Sequence, residues 1–282
     1  MGNNLIIPGP KTLPTYNLLD QIVTVLGSTN MSLWTFGGAS GNNVTLTGVL
    51  DPYGTSSAGV HGTFRDATGT ARAPTAASVI THASGVESLL LTTGRTDHVS
   101  FADSAAHSFG NATVDSPFSL GLWIKMGEAL GTARTLMAKY DSAAGVAREY
   151  KFSFSATGKL IMELYDESAD TTEIATSTGT AVTPFIWQFV TMTYDGDETA
   201  PAINLYINAT SVHDGTSVES GAYVAMENTA TPLLIAADGL TAAAANGFVG
   251  RIALPFVTGK ELTAAEVMTI YGIGQRLLGL TD

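Results

Sequence analysis

The chain has no cysteine among its 282 residues. Disulfide staples, thiol nucleophiles and cysteine-ligated zinc are therefore all excluded. Charge is also scarce, with only 13% of residues Asp, Glu, Lys or Arg, and basic residues are the scarcer kind. Thirteen Lys and Arg face 25 Asp and Glu, for a net charge of −12. A nucleic-acid partner needs clustered cations against its phosphates, so none is expected. No window approaches the roughly 18 apolar residues of a membrane span. The segment Met1 to Pro8 has neither a basic region nor a long apolar run, so no secretory leader and no membrane association are expected. Position six is Ile6, without the Ser or Thr that myristoylation prefers. No repeat of roughly 20–50 residues appears, which argues against a propeller or solenoid. The Gly-x-Ser-x-Gly elbow and the phosphate-binding glycine loop are missing as well.

What is present suits strands. Hydrophobic residues make up 45% of the chain, with 30 Gly and 10 Pro, while the Lys, Glu and Arg that exposed helices need are few. Residues 1–30 differ from the rest: Pro8, Pro10 and Pro14 break the start into an extended arm. A short helix follows, capped by Thr15 and stopped at Gly27, with Leu18, Leu19, Ile22, Val23 and Leu26 at helical spacing. It can fold onto the main domain or dock on another subunit. From Met31 onward the pattern is β. Strands are expected around 32–36, 44–50, 88–91, 97–101, 118–125, 135–140, 150–155, 159–165, 186–194, 203–208 and 232–236. The polar stretch from Asp166 to Thr183 reads as a loop. The chain closes with a strand between Gly247 and Thr258 and a helix opened by Thr263 and Glu266, which have the spacing of a capping box. Many short strands with one capped helix predict an all-β fold: a two-sheet antiparallel jelly-roll sandwich over 31–282, preceded by the 1–30 arm.

Five motifs in order carry a family resemblance. They run from Asp97 to Phe101, from Phe118 to Lys125, from Trp187 through Tyr194-Asp195-Gly196, from Leu205 to Asn208, and from Gly247 to Ile252 with the helix to Tyr271. Together, over about 31–275, they resemble the LamG/pentraxin-like branch of the concanavalin A-like lectin/glucanase jelly rolls. Ala209 replaces a glycine of the family pattern. The resemblance implies that Val249, Ile252 and Leu254 run beside Leu33 to Phe36, with Arg251 pairing at the sheet edge.

Jelly-roll glucanases of this broad fold use a Glu-x-Asp-x-x-Glu strand. The nearest stretch here is Glu163-Leu-Tyr-Asp-Glu167, where Tyr165 sits between the carboxylates and nothing separates their pKa values. His61, His82, His98, His107 and His213 show no metal-ligand spacing. Catalysis is not expected, and no cofactor is required. Calcium, which many relatives hold at a loop rim, is the one ion the resemblance raises, with Asp141, Asp166, Asp170, Asp195, Asp197 and Asp238 as candidates. For Asp195, an Asp-Gly turn is sufficient explanation. Two strand faces could stack a sugar: Tyr165 with Glu163 and Glu167, and Tyr206 with Asn204 and Asn208. Either face could equally be covered by a neighbouring element.

Domains resembling this one usually work outside cells, yet the chain shows no leader. The expectation that reconciles the two is a non-catalytic virion protein of a tailed bacteriophage, a capsid decoration or tail component present as a homo-oligomer or in many copies. Residues 1–30 would contact other virion proteins while the jelly roll meets a host-surface glycan. The alternatives are a free extracellular carbohydrate-binding or adhesion module and, third, a β-glucanase-type enzyme.

Overall fold

The computed structural model describes residues 15–27, 30–36, 62–66, 68–71, 79–92, 97–141, 147–197, 202–239 and 246–280. The strand expected at 44–50, His61 and the arm ahead of Thr15 lie outside them. In chain order the elements are α1 (Thr15–Leu26), β1 (Ser32–Leu33), β2 (Gly62–Arg65), β3 (Val79–Thr81), β4 (Glu87–Leu91), β5 (His98–Phe101), β6 (Phe118–Met126), β7 (Arg134–Tyr140) and β8 (Arg148–Phe154). There follow β9 (Leu160–Asp166), β10 (Thr171–Thr176), β11 (Trp187–Tyr194), β12 (Ile203–Ile207), β13 (Thr210–Ser211), β14 (Ser217–Ser220), β15 (Leu233–Ile235), β16 (Gly250–Thr258) and α2 (Ala264–Leu278). No described helix is long and apolar enough to cross a membrane.

The strands form two antiparallel sheets. The first runs β13-β12-β11-β6-β16-β4-β3, with β1 also on β16; the second runs β14-β10-β9-β8-β7-β15-β5-β2. Alternation decides which side chains fill the space between them. Phe118, Leu120, Leu122 and Ile124 of β6 meet Tyr150, Phe152 and Phe154 of β8 and Leu160, Met162 and Leu164 of β9 in one core. Val190, Met192 and Tyr194 of β11 point into it together, as their spacing predicts. Phe109 stacks on Phe118 at 4.3 Å.

A second apolar layer lies on the far side of the first sheet. Leu18, Ile22, Val23 and Leu26 of α1 and Val267, Ile270, Ile273 and Leu277 of α2 cover Leu33, Trp123, Phe189, Tyr206 and Phe256. The capping box forms as the Thr263/Glu266 spacing requires: Thr263 Oγ1 accepts the Glu266 amide and Glu266 accepts the Thr263 amide. Tyr271 stacks on Trp123 at 5.5 Å. A Cβ at Gly274 would come within 2.2 Å of Trp123 Nε1, so only glycine lets α2 lie this close. Thr258 Oγ1 donates to the Leu26 carbonyl at 2.6 Å, anchoring the C-terminal end of α1. Of the two placements open to this helix, Thr15–Leu26 takes the first and folds onto the main domain.

The closing strand pairs with the first one, but in a different register from that expected. Ser32 faces Val257 and Leu33 faces Phe256, while Ile252 pairs with Leu89 and Ile124. A bulge at Leu254, whose φ is +47°, separates the two halves. It also accommodates Pro255, which cannot donate to a ladder. Arg251 is therefore not at an edge. It lies between Leu90 of β4 and Lys125 of β6 in the middle of the sheet, and burial pushes its guanidinium pKa down. Strands β10 and β14 were absent from the sequence expectation. Both are polar ribbons at the margin of the second sheet, so no apolar alternation announces them.

Candidate functional site

Each sheet has an outer face, and the two expected sugar-stacking sets fall on different ones. Tyr206 lies under the helical layer with 7% of its surface exposed. Asn208 forms with Ala209 the two-residue turn between β12 and β13, both at positive φ (47° and 61°). Its side-chain oxygen accepts the Phe189 amide at 2.9 Å. Asn204 is half-buried opposite Thr193. These three residues serve the fold where they stand, and helices close the Tyr206 ring to any ligand.

The outer face of the second sheet carries no helix among the described residues. Antiparallel register brings Lys151 of β8 opposite both Glu163 of β9 and Ala138 of β7. Lys151 Nζ bonds Glu163 at 2.7 Å and sits 4.8 Å above the Tyr140 ring. Burial opposes the charge on Lys151, but the Glu163 carboxylate outweighs it and holds the pKa above the usual lysine value. Tyr165 donates its hydroxyl to Glu163 at 3.0 Å and meets Tyr140 at 5.1 Å between ring centres. Burial, with Glu163 adding to it, raises the Tyr165 pKa, so the phenol stays protonated. Arg148 lies 5.1 Å over the Tyr165 ring. It grips Glu167 with two hydrogen bonds, at 2.6 and 3.2 Å, and Asp170 at 2.6 Å. Glu163, Tyr165 and Glu167 do gather on one side, but each is already engaged. Tyr140, half-exposed, is the ring with free surface.

Lys151 and Glu163 also form one wall of a cleft of about 120 Å³, lined further by Thr135, Ser153, Ile161, Asp238 and Asn246. Asn246 Nδ2 donates to Asp238 Oδ2 at 3.2 Å. Arg134, at the same wall, is ion-paired with Glu128 at 2.5 Å. The cleft thus combines hydroxyls, an amide and two carboxylates, with Lys151 joining it to the Tyr140 ring, the inventory that orients a polyhydroxylated ligand. Sequence reasoning named Glu163, Tyr165 and Glu167 but not Tyr140, Arg148, Lys151 or Asn246. Those come from other strands, and only register brings them in.

The proposed calcium ligands do not converge. Asp166 caps its own turn through Ser168 and Ala169 and accepts the Val224 amide. Asp170 pairs with Arg148, and Asp195 accepts the Asp197 amide within the Asp-Gly turn. Among the described residues no three His, Asp or Glu side chains stand together as a metal cage. Of the histidines, His82 meets the Trp187 ring edge-on at 6.0 Å. Burial, reinforced by Lys139, lowers the His107 pKa to about 4.

Two antiparallel sheets packed face to face, with helices on one outer face only among the described residues, define a jelly-roll sandwich. The chain belongs to the concanavalin A-like lectin/glucanases superfamily, whose Laminin_G_3 family model matches residues 93–268. Among solved structures, the ligand-binding domain of botulinum neurotoxin serotype D, in complex with N-acetylneuraminic acid, is similar at TM-score 0.56 and 13% identity, over 90% of this chain and 53% of that one. The serotype G binding domain gives TM-score 0.55 and 18% identity over 88% and 51%. Domain 4 of AbnA, a GH43 extracellular arabinanase from Geobacillus stearothermophilus solved with arabinotriose, gives 0.53 and 14% over 86% and 98%. The chain spans about half the length of the toxin domains it matches. No curated protein sequence matches it.

Proposed function

We propose that this chain is a non-catalytic carbohydrate-binding jelly roll that holds a neutral glycan against the outer face of its second sheet. The observation that carries this is a polar cleft of Asp238, Asn246, Thr135 and Ser153 whose Lys151 wall also meets the partly exposed Tyr140 ring. A sugar's C–H face can rest on the ring while its hydroxyls donate to Asp238 and Glu163. Arg134, Arg148 and Lys151, the cations at the cleft and the tyrosines, each hold a carboxylate already. A sugar acid would have to displace one of those pairs and would leave a partly buried carboxylate unpaired. The same pairing keeps Glu163 and Glu167 from acting as an acid and nucleophile pair. The arabinotriose complex of one fold neighbour supports a neutral ligand, while the N-acetylneuraminic acid complex of another supports carbohydrate binding by this fold but not the neutral class.

A glycan array probed with the full chain tests the reading. Binding to neutral glycans, weakened about tenfold or more by Tyr140→Ala and by Asp238→Ala, is expected. An array silent throughout, or one answered only by sialylated glycans, would sink it.

The narrower setting is a virion protein of a tailed bacteriophage, displayed in many copies, with a host-surface glycan as ligand. It is favoured by a fold of binding domains in a chain that has no cysteine. Because α1 is used by the domain itself, contact with other virion proteins would fall to the residues ahead of Thr15. Electron microscopy of particles lacking the protein should show missing surface density. Unchanged particles would favour a free extracellular module instead.

A further inference from the structure

The only lysine with a fully buried side chain among the described residues is Lys139, in the middle of the second sheet. Its Nζ lies 2.5 Å from Glu149 Oε1 and 2.9 Å from Asp103 Oδ1, and donates to the Thr229 carbonyl at 2.7 Å. Glu149 is also fully buried, while the Asp103 side chain is 38% exposed. One amine therefore stands between two carboxylates with no bulk water around it. We propose that Lys139 and Asp103 condense into an isopeptide bond, with Glu149 as the proton carrier, tying the segment after β5 covalently to β7.

Position comes first. Glu149 is held by the Thr229 amide at 2.7 Å, the Thr229 hydroxyl at 2.9 Å and Ser108 Oγ at 3.4 Å, so it is fixed as a relay. Asp103 sits on the irregular stretch between β5 and the short 3-10 turn Ala105–His107, free of a ladder that would resist its final adjustment. An amine already at hydrogen-bond distance from the carboxyl it attacks is close to a near-attack geometry. Such positioning is worth effective molarities of about 10⁵–10⁸ M in rate, and the absence of bulk water around the buried amine removes the solvent that makes amide condensation unfavourable between free partners.

The electrostatics point the same way. Burial pushes the Glu149 carboxyl up, with Lys139 opposing, so Glu149 is suited to hold a proton in passing. A buried ammonium and carboxylate each carry a desolvation cost that a neutral amide does not. The step balances without any co-reactant. The Lys139 ammonium gives a proton to Glu149, and the freed amine pair attacks Asp103 Cγ. Glu149 returns the proton to the departing Asp103 oxygen, and the nitrogen supplies the second. One C–N bond forms, one C–O bond breaks, and one water leaves through the exposed side of Asp103. Glu149 ends as it began, facing the new amide N–H.

Intact-mass spectrometry of the full chain is the test, with peptide mapping. The expected result is a chain lighter than its sequence by one water, with Asp103 and Lys139 recovered in one branched peptide. Lys139→Arg, Asp103→Ala and Glu149→Gln should restore the full sequence mass. Asp103→Asn should lose ammonia instead and arrive at the same final mass as the unaltered protein. A wild-type chain that stays at full mass on prolonged incubation, with the two residues in separate peptides, overturns the proposal. So does a water loss that maps to the Asp195-Gly196 turn, where a succinimide would form. The wild-type measurement needs no variant to fold, and it is independent of whether a glycan binds.

Discussion

The two outer faces of the sandwich start from similar material and end with opposite roles. On the first sheet, Trp123, Phe189, Tyr206 and Phe256 point away from the core; on the second, Tyr140 and Tyr165 do. The first set is sealed by α1 and α2 into a second apolar layer, whereas on the second sheet Tyr165 is buried under Arg148 and Glu163 and Tyr140 keeps part of its surface, with no helix laid over either among the described residues. An aromatic that faces outward on a strand is thus not yet a binding residue. What matters is whether another element is laid over it.

Breaking the sealed face should have the largest effect on stability. Trp123→Ala removes the ring that Tyr271 stacks on and should cost about 3–5 kcal/mol, read by denaturant unfolding; a cost under about 1 kcal/mol would mean the helices do not seal this face. The second sheet carries a penalty of its own on its core side. Burial raises the Glu173 pKa to about 7, against stabilisation by Ser217. The folded state therefore keeps a proton that the unfolded chain releases near the ordinary carboxylate value. Stability should fall as pH climbs through that window up to about 7, with the full penalty above it. Glu173→Gln should gain about 2 kcal/mol at pH 8 and nothing at pH 4; equal gains at both pH values would remove the titration as the cause. On the open face, Tyr140→Ala should weaken glycan binding about tenfold or more while costing under about 1 kcal/mol of stability, measured by calorimetric titration beside thermal unfolding. If stability falls and binding does not, Tyr140 is structural like Tyr206. The smallest change concerns the turn that replaces the family's glycine. Ala209 holds φ +61°, which costs an L-residue about 1 kcal/mol, so Ala209→Gly should stabilise by about that amount in urea unfolding. A loss there would contradict the left-handed turn.

The central strands were legible because β6, β8, β9 and β11 alternate apolar residues strongly enough to announce both strand and inner face. The margins were not: β10, with its Thr-rich sequence, and β14 have little apolar surface to show, and they fold as strands because β9 supplies a ladder to β10 and β10 supplies one to β14. Glu163, Tyr165 and Glu167 could be placed on one side by spacing alone. Tyr140, Lys151 and Asn246 could not, since nothing within a strand records which residue of the next strand will lie opposite.

The same limit separates Glu163-x-Tyr165-x-Glu167 from Asn204-x-Tyr206-x-Asn208. The two are identical in spacing and in the outward direction of the tyrosine. The sequence by itself determined the all-β sandwich, its core-facing residues, the capping box of α2 and the family, because these depend on period, composition and short-range chemistry. Only the tertiary structure decided that α1 and α2 close over Tyr206 and that no described helix covers Tyr140. It likewise decided that Lys139 meets Asp103 and Glu149, because those placements depend on contacts between segments far apart in the chain.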